Sequence, residues 1–157
     1  MECTIDWLAT NGMAFSAETG SGHLLTMDGA PDGGGRNLAP RPMETVLAGT
    51  GACAAFDVVL ILKRARQPVT DCVVEADADR AAVEPKVFTR IRLAYTIAGR
   101  GLDPRQVERA VKLSKEKYCS ATIMLAKTAE IETSIAIVEG DRVPLASEGG
   151  AAASASS

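Results

Sequence analysis

The chain has 157 residues, 46% hydrophobic but only 4% aromatic, with a formal net charge of −3. That length and apolar content suit one domain with its own core, expected over residues 1–140, followed by a tail over residues 141–157. No basic run provides the electrostatic footprint of a nucleic-acid or anionic-membrane binder, so neither partner is expected. The start, MECTIDWLAT, lacks the basic and apolar regions of a signal peptide, and the apolar part of the central helix reads as too short to span a bilayer. A cytoplasmic location is therefore expected. Cys3, Cys53, Cys72 and Cys119 form no C-x-x-C pair, and with His23 the sole histidine a zinc site would need an unusual ligand set. No metal or cofactor is expected, and free thiols are the default in a reducing compartment.

Residues 3–9 and 13–17 alternate in polarity around Asn11-Gly12, a dipeptide suited to a type I′ hairpin turn. A third strand is expected over 23–27. Residues 28–40, with four glycines and two prolines, read as a flexible approach to the central helix, either a connector or a source of binding groups. That long helix is predicted over 41–67. Val46, Gly49, Cys53, Phe56, Val59, Leu60 and Lys63 recur at helical spacing, while Leu47, Val58, Ile61 and Leu62 make most of the remaining surface apolar. Such a helix should be buried on most sides. Pro42 and Glu44 suit its first turn, and Lys63, Arg64 and Arg66 its last, before Pro68 ends it. Gly49 and Gly51 just before Cys53 suggest that another helix or a substrate approaches there.

Strands are expected over 72–79 and 87–97, paired so that Arg90 and Arg92 face the acidic stripe of the first. Asp103 and Pro104 begin a helix, with Gln106 placed to reach back as in a capping box, and Val107, Ala110, Val111 and Ser114 form its modest apolar face. A short helix is expected next, over 118–127, with Ser120 a candidate cap and Cys119 near its N-terminus, where the dipole favours a thiolate. A closing strand over 131–137 precedes a small, polar tail expected to be disordered. The order is β-β-β-α-β-β-α-α-β, an α+β chain.

A cysteine on an apolar helix is usually an inert core residue, but the flanking glycines and a second thiol on a later helix point to redox work. Within disulfide reach, one sulfur can attack a peroxide and the other condense with the resulting sulfenic acid. A positive group must then activate the attacking thiol. Asp57, one turn beyond Cys53, needs a partner or solvent, and facing the thiol it would raise its pKa. Cys3 and Cys72 read as packing residues.

RPMETVLAGTGAC over 41–53, its continuation AAFDVVLILKRARQ, KYCSA over 117–121 and GHLLTMDG over 22–29 resemble the OsmC/Ohr-like proteins, of osmotically inducible protein C and organic hydroperoxide resistance protein, and look like a less characterised OsmC-like branch. The likeness spans about residues 12–138. It implies an α+β fold in which two chains interlock as an obligate homodimer with the long central helices buried back to back. It also implies a thiol-dependent reductase of organic hydroperoxides, with Cys53 attacking, Cys119 resolving through an intramolecular disulfide, and an external dithiol as reductant. Glu44 matches the family's helix-start glutamate. The family's activating arginine has no counterpart before Arg36, so Arg36 and Arg41 in the glycine-rich loop are the substitutes. Met43, Phe56 and Met124 are candidates for an apolar substrate entrance, and His23 for a ligand contact. The alternative is a non-catalytic dimer that binds a small apolar molecule, using His23, Met27 and the loop; a structural dimer with vestigial thiols is a third reading.

Overall fold

The computed structural model describes residues 1–144 and has the expected α+β composition in the expected order. Its contacts group into two compact units, Met1–Gly49 and the residues from Thr50 onward.

In the first unit, β1 (Cys3–Trp7), β2 (Phe15–Thr19) and β3 (Leu24–Met27) form an antiparallel sheet in that order, with Trp7 opposite Phe15 and Phe15 opposite Met27. The β1–β2 connection is not a two-residue turn. A 3-10 turn at Ala9–Asn11 leads to Gly12 at φ +68° and ψ −118°, and the Trp7 indole N–H donates to the Gly12 carbonyl at 2.8 Å. A Cβ at Gly12 would meet the Gly34 carbonyl oxygen at 2.6 Å, so the glycine permits a close backbone approach that dipeptide turn rules do not capture. The glycine-rich loop is tied down rather than free. Asp28, only 1% exposed, accepts backbone N–H bonds from Gly29 at 2.7 Å and from Arg36 and Leu38 at 3.0 Å each. The Leu38 bond foremost, with those from Arg36 and Gly29 and the nearby Arg36 charge, outweighs burial and lowers the carboxyl pKa.

Helix α1 runs Pro42–Arg64. Glu44 accepts the Arg41 backbone N–H at 2.9 Å, and Arg66 at φ +55° turns the chain away after the last turn. The helix is therefore shorter than the predicted 41–67, because its capping turns lie outside it. Its buried residues are Thr50, Gly51, Ala54, Val58 and Leu62, whereas Val46 and Phe56 are exposed. The covered stripe thus lies beside the one the spacing suggested. Gly51 decides this, since its Cβ position lies 3.6 Å from Ala76 Cβ and 3.9 Å from Val74 Cγ1, while nothing lies within 4 Å of the same position at Gly49. By length and composition α1 suffices to cross a membrane, which corrects the expectation that its apolar part is too short; 28% of its most apolar window is buried. Core helices of soluble proteins meet the same length criterion.

In the second unit, β4 (Val69–Arg80) pairs antiparallel with β5 (Phe88–Gly99), and β6 (Glu130–Glu139) adds parallel to β5. Arg92 bridges Asp77 at 2.7 Å and Asp79 at 2.8 Å as the cross-strand pattern predicts. Arg90 stands opposite Asp79 as expected, but its ion pairs run to Glu130 at 3.4 Å and Glu132 at 3.2 Å on β6, the neighbour that local alternation cannot reveal. Phe88, Ile91, Leu93, Tyr95 and Ile97 on β5 are buried and supply much of the core, each side chain contributing roughly 1.5–3 kcal/mol on burial. A parallel β5–β6 pair requires a crossover, which α2 (Pro104–Leu113) and α3 (Ser120–Leu125) provide.

Asp103 caps α2 by accepting the Arg105 N–H at 2.9 Å, but its own N–H donates to Gln67 Oε1 at 2.9 Å rather than to Gln106. Between the helices the chain takes one π-helical turn, Ser114–Tyr118. Helix α3 is shorter than expected, and Cys119 itself, not Ser120, is its N-cap. Past β6, Asp141 pairs with Arg100 at 2.8 Å and the Val143 N–H donates to Asp71 at 2.9 Å. The rest of the predicted tail lies outside the described residues.

Candidate active site: two thiols and a carboxylate

Cys53 lies on α1 directly before the buried Ala54, and Asp57 follows one turn later on the same helix face. Cys119 meets them from the start of α3. The two sulfurs and a carboxylate oxygen of Asp57 all lie within 4.8 Å of one another. Both thiols are free; Cys119 is fully buried, while Cys53 and Asp57 are half-buried.

The π-helical turn sets the position of Cys119. Its N–H donates to the Ser114 carbonyl at 2.9 Å, closing the turn. The Ser114 hydroxyl, fully buried, donates to the Ala54 carbonyl at 3.1 Å and so pins the turn to α1 beside Cys53. From α3, Thr122 donates its N–H to Cys119 Sγ at 3.5 Å and its hydroxyl to the Cys119 carbonyl at 3.0 Å. By spacing alone Ser114 reads as part of an apolar face; a lone hydroxyl on such a face is the one signal of this role.

Burial first, then the neighbouring Cys119 and the Asp57 charge, push the Cys53 thiol up, against an N–H bond from Ala121 that lowers it. The charged group acting on this thiol is thus a carboxylate, the case that argues against a reactive resting thiolate. Tyr95, 1% exposed on β5, is pushed well up by burial and by negative charge at Cys119, Cys72, Asp57 and Cys53, and remains a neutral phenol. Cys72 is pushed up to about 11 by burial and by Asp71, and is an inert packing thiol as expected.

A cavity of about 330 Å³ opens beside the cluster, with Asp57, Leu60, Ile61, Arg64, Arg109 and Tyr118 among its lining residues. It shares Asp57 with the thiol cluster and is lined by two arginines that sequence reasoning placed in no site. Phe56 and Met124, expected at a substrate entrance, are 68% and 67% exposed and do not line it. The other candidates belong to the first unit. His23, exposed, has its Nδ1 3.2 Å from the Ser21 hydroxyl; Arg36 is exposed and held through its backbone to Asp28; Met43 is half-buried; and the Glu44 carboxylate caps α1.

Two free thiols held together by a helix and a capped turn, against the buried face of a mixed sheet, define an α+β dithiol protein. Residues 33–134 match the family described as OsmC-like protein, and the chain belongs to that family. It is 43% identical over 138 residues to Protein YhfA of Escherichia coli strain K12, covering 88% of this chain and 98% of that protein. A hypothetical protein from Aquifex aeolicus VF5 has the same fold, with a TM-score of 0.76 at 28% identity over 88% of this chain and 96% of its own. An organic hydroperoxide resistance protein OsmC from Legionella pneumophila, 18% identical over 87% and 97% of the two chains, shares the fold at a TM-score of 0.63.

Proposed function

We propose that this protein is a thiol-dependent reductase of organic hydroperoxides that works as a homodimer. The observation that supports this most directly is the approach of the Cys53 and Cys119 sulfurs to within 4.8 Å, both unpaired, from elements far apart in the chain. In the proposed cycle the Cys53 thiolate attacks the terminal oxygen of the hydroperoxide, the O–O bond breaks, and the alkoxide leaves as alcohol after taking up a proton. Cys53 is now a sulfenic acid. The Cys119 thiol attacks its sulfur, water leaves, and a disulfide forms; an external dithiol then reduces it by two thiol exchanges. Ser114 and Thr122 hold Cys119 ready for the second step. The apolar, largely uncovered surface of α1 supports the homodimer, because burying it against a second copy removes it from water.

The test is a stoichiometric pulse of cumene hydroperoxide on reduced protein, followed by intact mass and peptide mapping. A Cys53–Cys119 disulfide and one equivalent of alcohol are expected. Persistence of both thiols with the hydroperoxide unconsumed overturns the reading. The carboxylate beside Cys53, where an activating guanidinium would be needed, favours the second reading, a dimer that binds a small apolar molecule without turnover. In that case hydroperoxides raise the melting temperature but are recovered intact.

A further inference from the structure

We infer that Cys53, Cys119 and Asp57 form a binding site for a thiolate-seeking divalent cation of the zinc class, with its open coordination position towards the cavity lined by Arg64 and Arg109. The inference does not rest on hydroperoxide reduction.

Cys53 and Asp57 occupy positions i and i+4 of α1, the spacing that puts two ligands on one helix face, and Cys119 closes the triangle from the cap of α3. Their donor atoms lie within 4.8 Å of one another. In a tetrahedral zinc site, with Zn–S near 2.3 Å and Zn–O near 2.0 Å, ligand atoms are about 3.5–3.8 Å apart, so rotamer adjustments of about an ångström complete the geometry. Two sulfurs and one oxygen suit zinc better than calcium or magnesium, which require several oxygen ligands.

The surroundings also suit bound thiolates. Backbone N–H groups from the first turn of α3 point at both sulfurs, Thr122 to Cys119 and Ala121 to Cys53. Such N–H bonds spread the charge of metal-bound sulfur and fix its orientation. The ionised cluster would hold three negative charges, of which a dication offsets two, and Asp57 is the charged carboxylate that acts on Cys53. Asp57 lines the cavity as well as the cluster, giving the ion an entry path. Binding releases two thiol protons and changes no oxidation state. While bound, each sulfur is committed to the metal, so disulfide closure and metal binding exclude one another.

The test uses the full chain with Cys3 replaced by Ser and Cys72 by Ala, so that the pair supplies the only thiols. Reduced, anaerobically desalted protein is dialysed against Zn²⁺ and its metal content measured, and Co²⁺ is added separately to read sulfur-to-cobalt charge transfer. One Zn²⁺ per chain and a thiolate charge-transfer band are expected. Cys53→Ser and Cys119→Ser, checked for folding by circular dichroism, should each lose the band, and Asp57→Asn should weaken binding about tenfold or more. Oxidised protein with a closed Cys53–Cys119 disulfide should bind no metal. Failure of the reduced protein to bind, binding retained in both cysteine variants, or undiminished affinity in Asp57→Asn each overturns the inference. A hydroperoxide-inert protein that still binds Zn²⁺ would sink the reductase reading and leave this one standing.

Discussion

Replacing Asp57 by Asn removes a negative charge beside Cys53 while keeping the side chain's size. With the sulfur and carboxylate oxygen at most 4.8 Å apart, Coulomb's law gives about 0.9 kcal/mol in bulk water and about 3.5 kcal/mol at an effective dielectric constant of about 20. Both groups are half-buried, so solvent screening holds the effect to about 1–2 kcal/mol. The Cys53 pKa should therefore fall, and at about 1.36 kcal/mol per tenfold its thiolate fraction at pH 7 should rise about 5- to 30-fold. Thiolate nucleophilicity falls as pKa falls, with a Brønsted coefficient of about 0.4–0.5, which reduces the expected gain in hydroperoxide reactivity to about 2- to 8-fold. Alkylation by iodoacetamide across pH, followed by mass spectrometry of the Cys53 peptide, measures the shift without mutating any other thiol. An unchanged or higher Cys53 pKa in Asp57→Asn would refute the electrostatic account.

Other substitutions test the supports. Ser114→Ala should lower stability by about 0.5–1.5 kcal/mol through loss of the bond to the Ala54 carbonyl, and should slow disulfide closure more than sulfenic acid formation; urea melts and stopped-flow kinetics read the two effects. Gly51→Ala meets only ordinary contacts with Ala76 and Val74 and removes a helix glycine, so it should raise stability by up to about 1 kcal/mol, whereas the bulk of Gly51→Leu should lower it. Gly49→Leu enters open space in the single chain; if a second copy covers α1 it should shift sedimentation equilibrium toward monomer, and an unaltered association state would count against that interface. The Cys72 thiol is held protonated in the fold up to about pH 11 but ionises near 9 when unfolded. Between those values the native state binds more protons than the unfolded state, so the stability contribution present below pH 9 is lost as pH rises to 11; Cys72→Ala should flatten that fall in the urea midpoint.

Element order, the alternating faces of β4 and β5, the first turn at Pro42, the cap at Asp103 and the strand pair joined by Arg92 were all legible from residue spacing, whereas β1 alternates in sequence yet is exposed along its whole length. They rest on interactions between residues close in the chain, or between adjacent strands, where helical and strand periodicities leave a direct record. The stripe of α1 that is buried was not, because it depends on which glycine meets β4, and Gly49 and Gly51 look alike in one dimension. Nor was the parallel β5–β6 pair that redirects Arg90, or the fold of the glycine-rich loop around Asp28. Cys53 and Cys119 could be named as partners, and Asp57 as the residue one turn beyond Cys53, but the meeting of the two sulfurs depends on a π-helical turn pinned by a hydroxyl. Pattern along a chain carries the local rules of pairing and burial. The distance between two sulfurs is set by how helices and strands remote in the chain come to rest on one another, and only three-dimensional packing determines that.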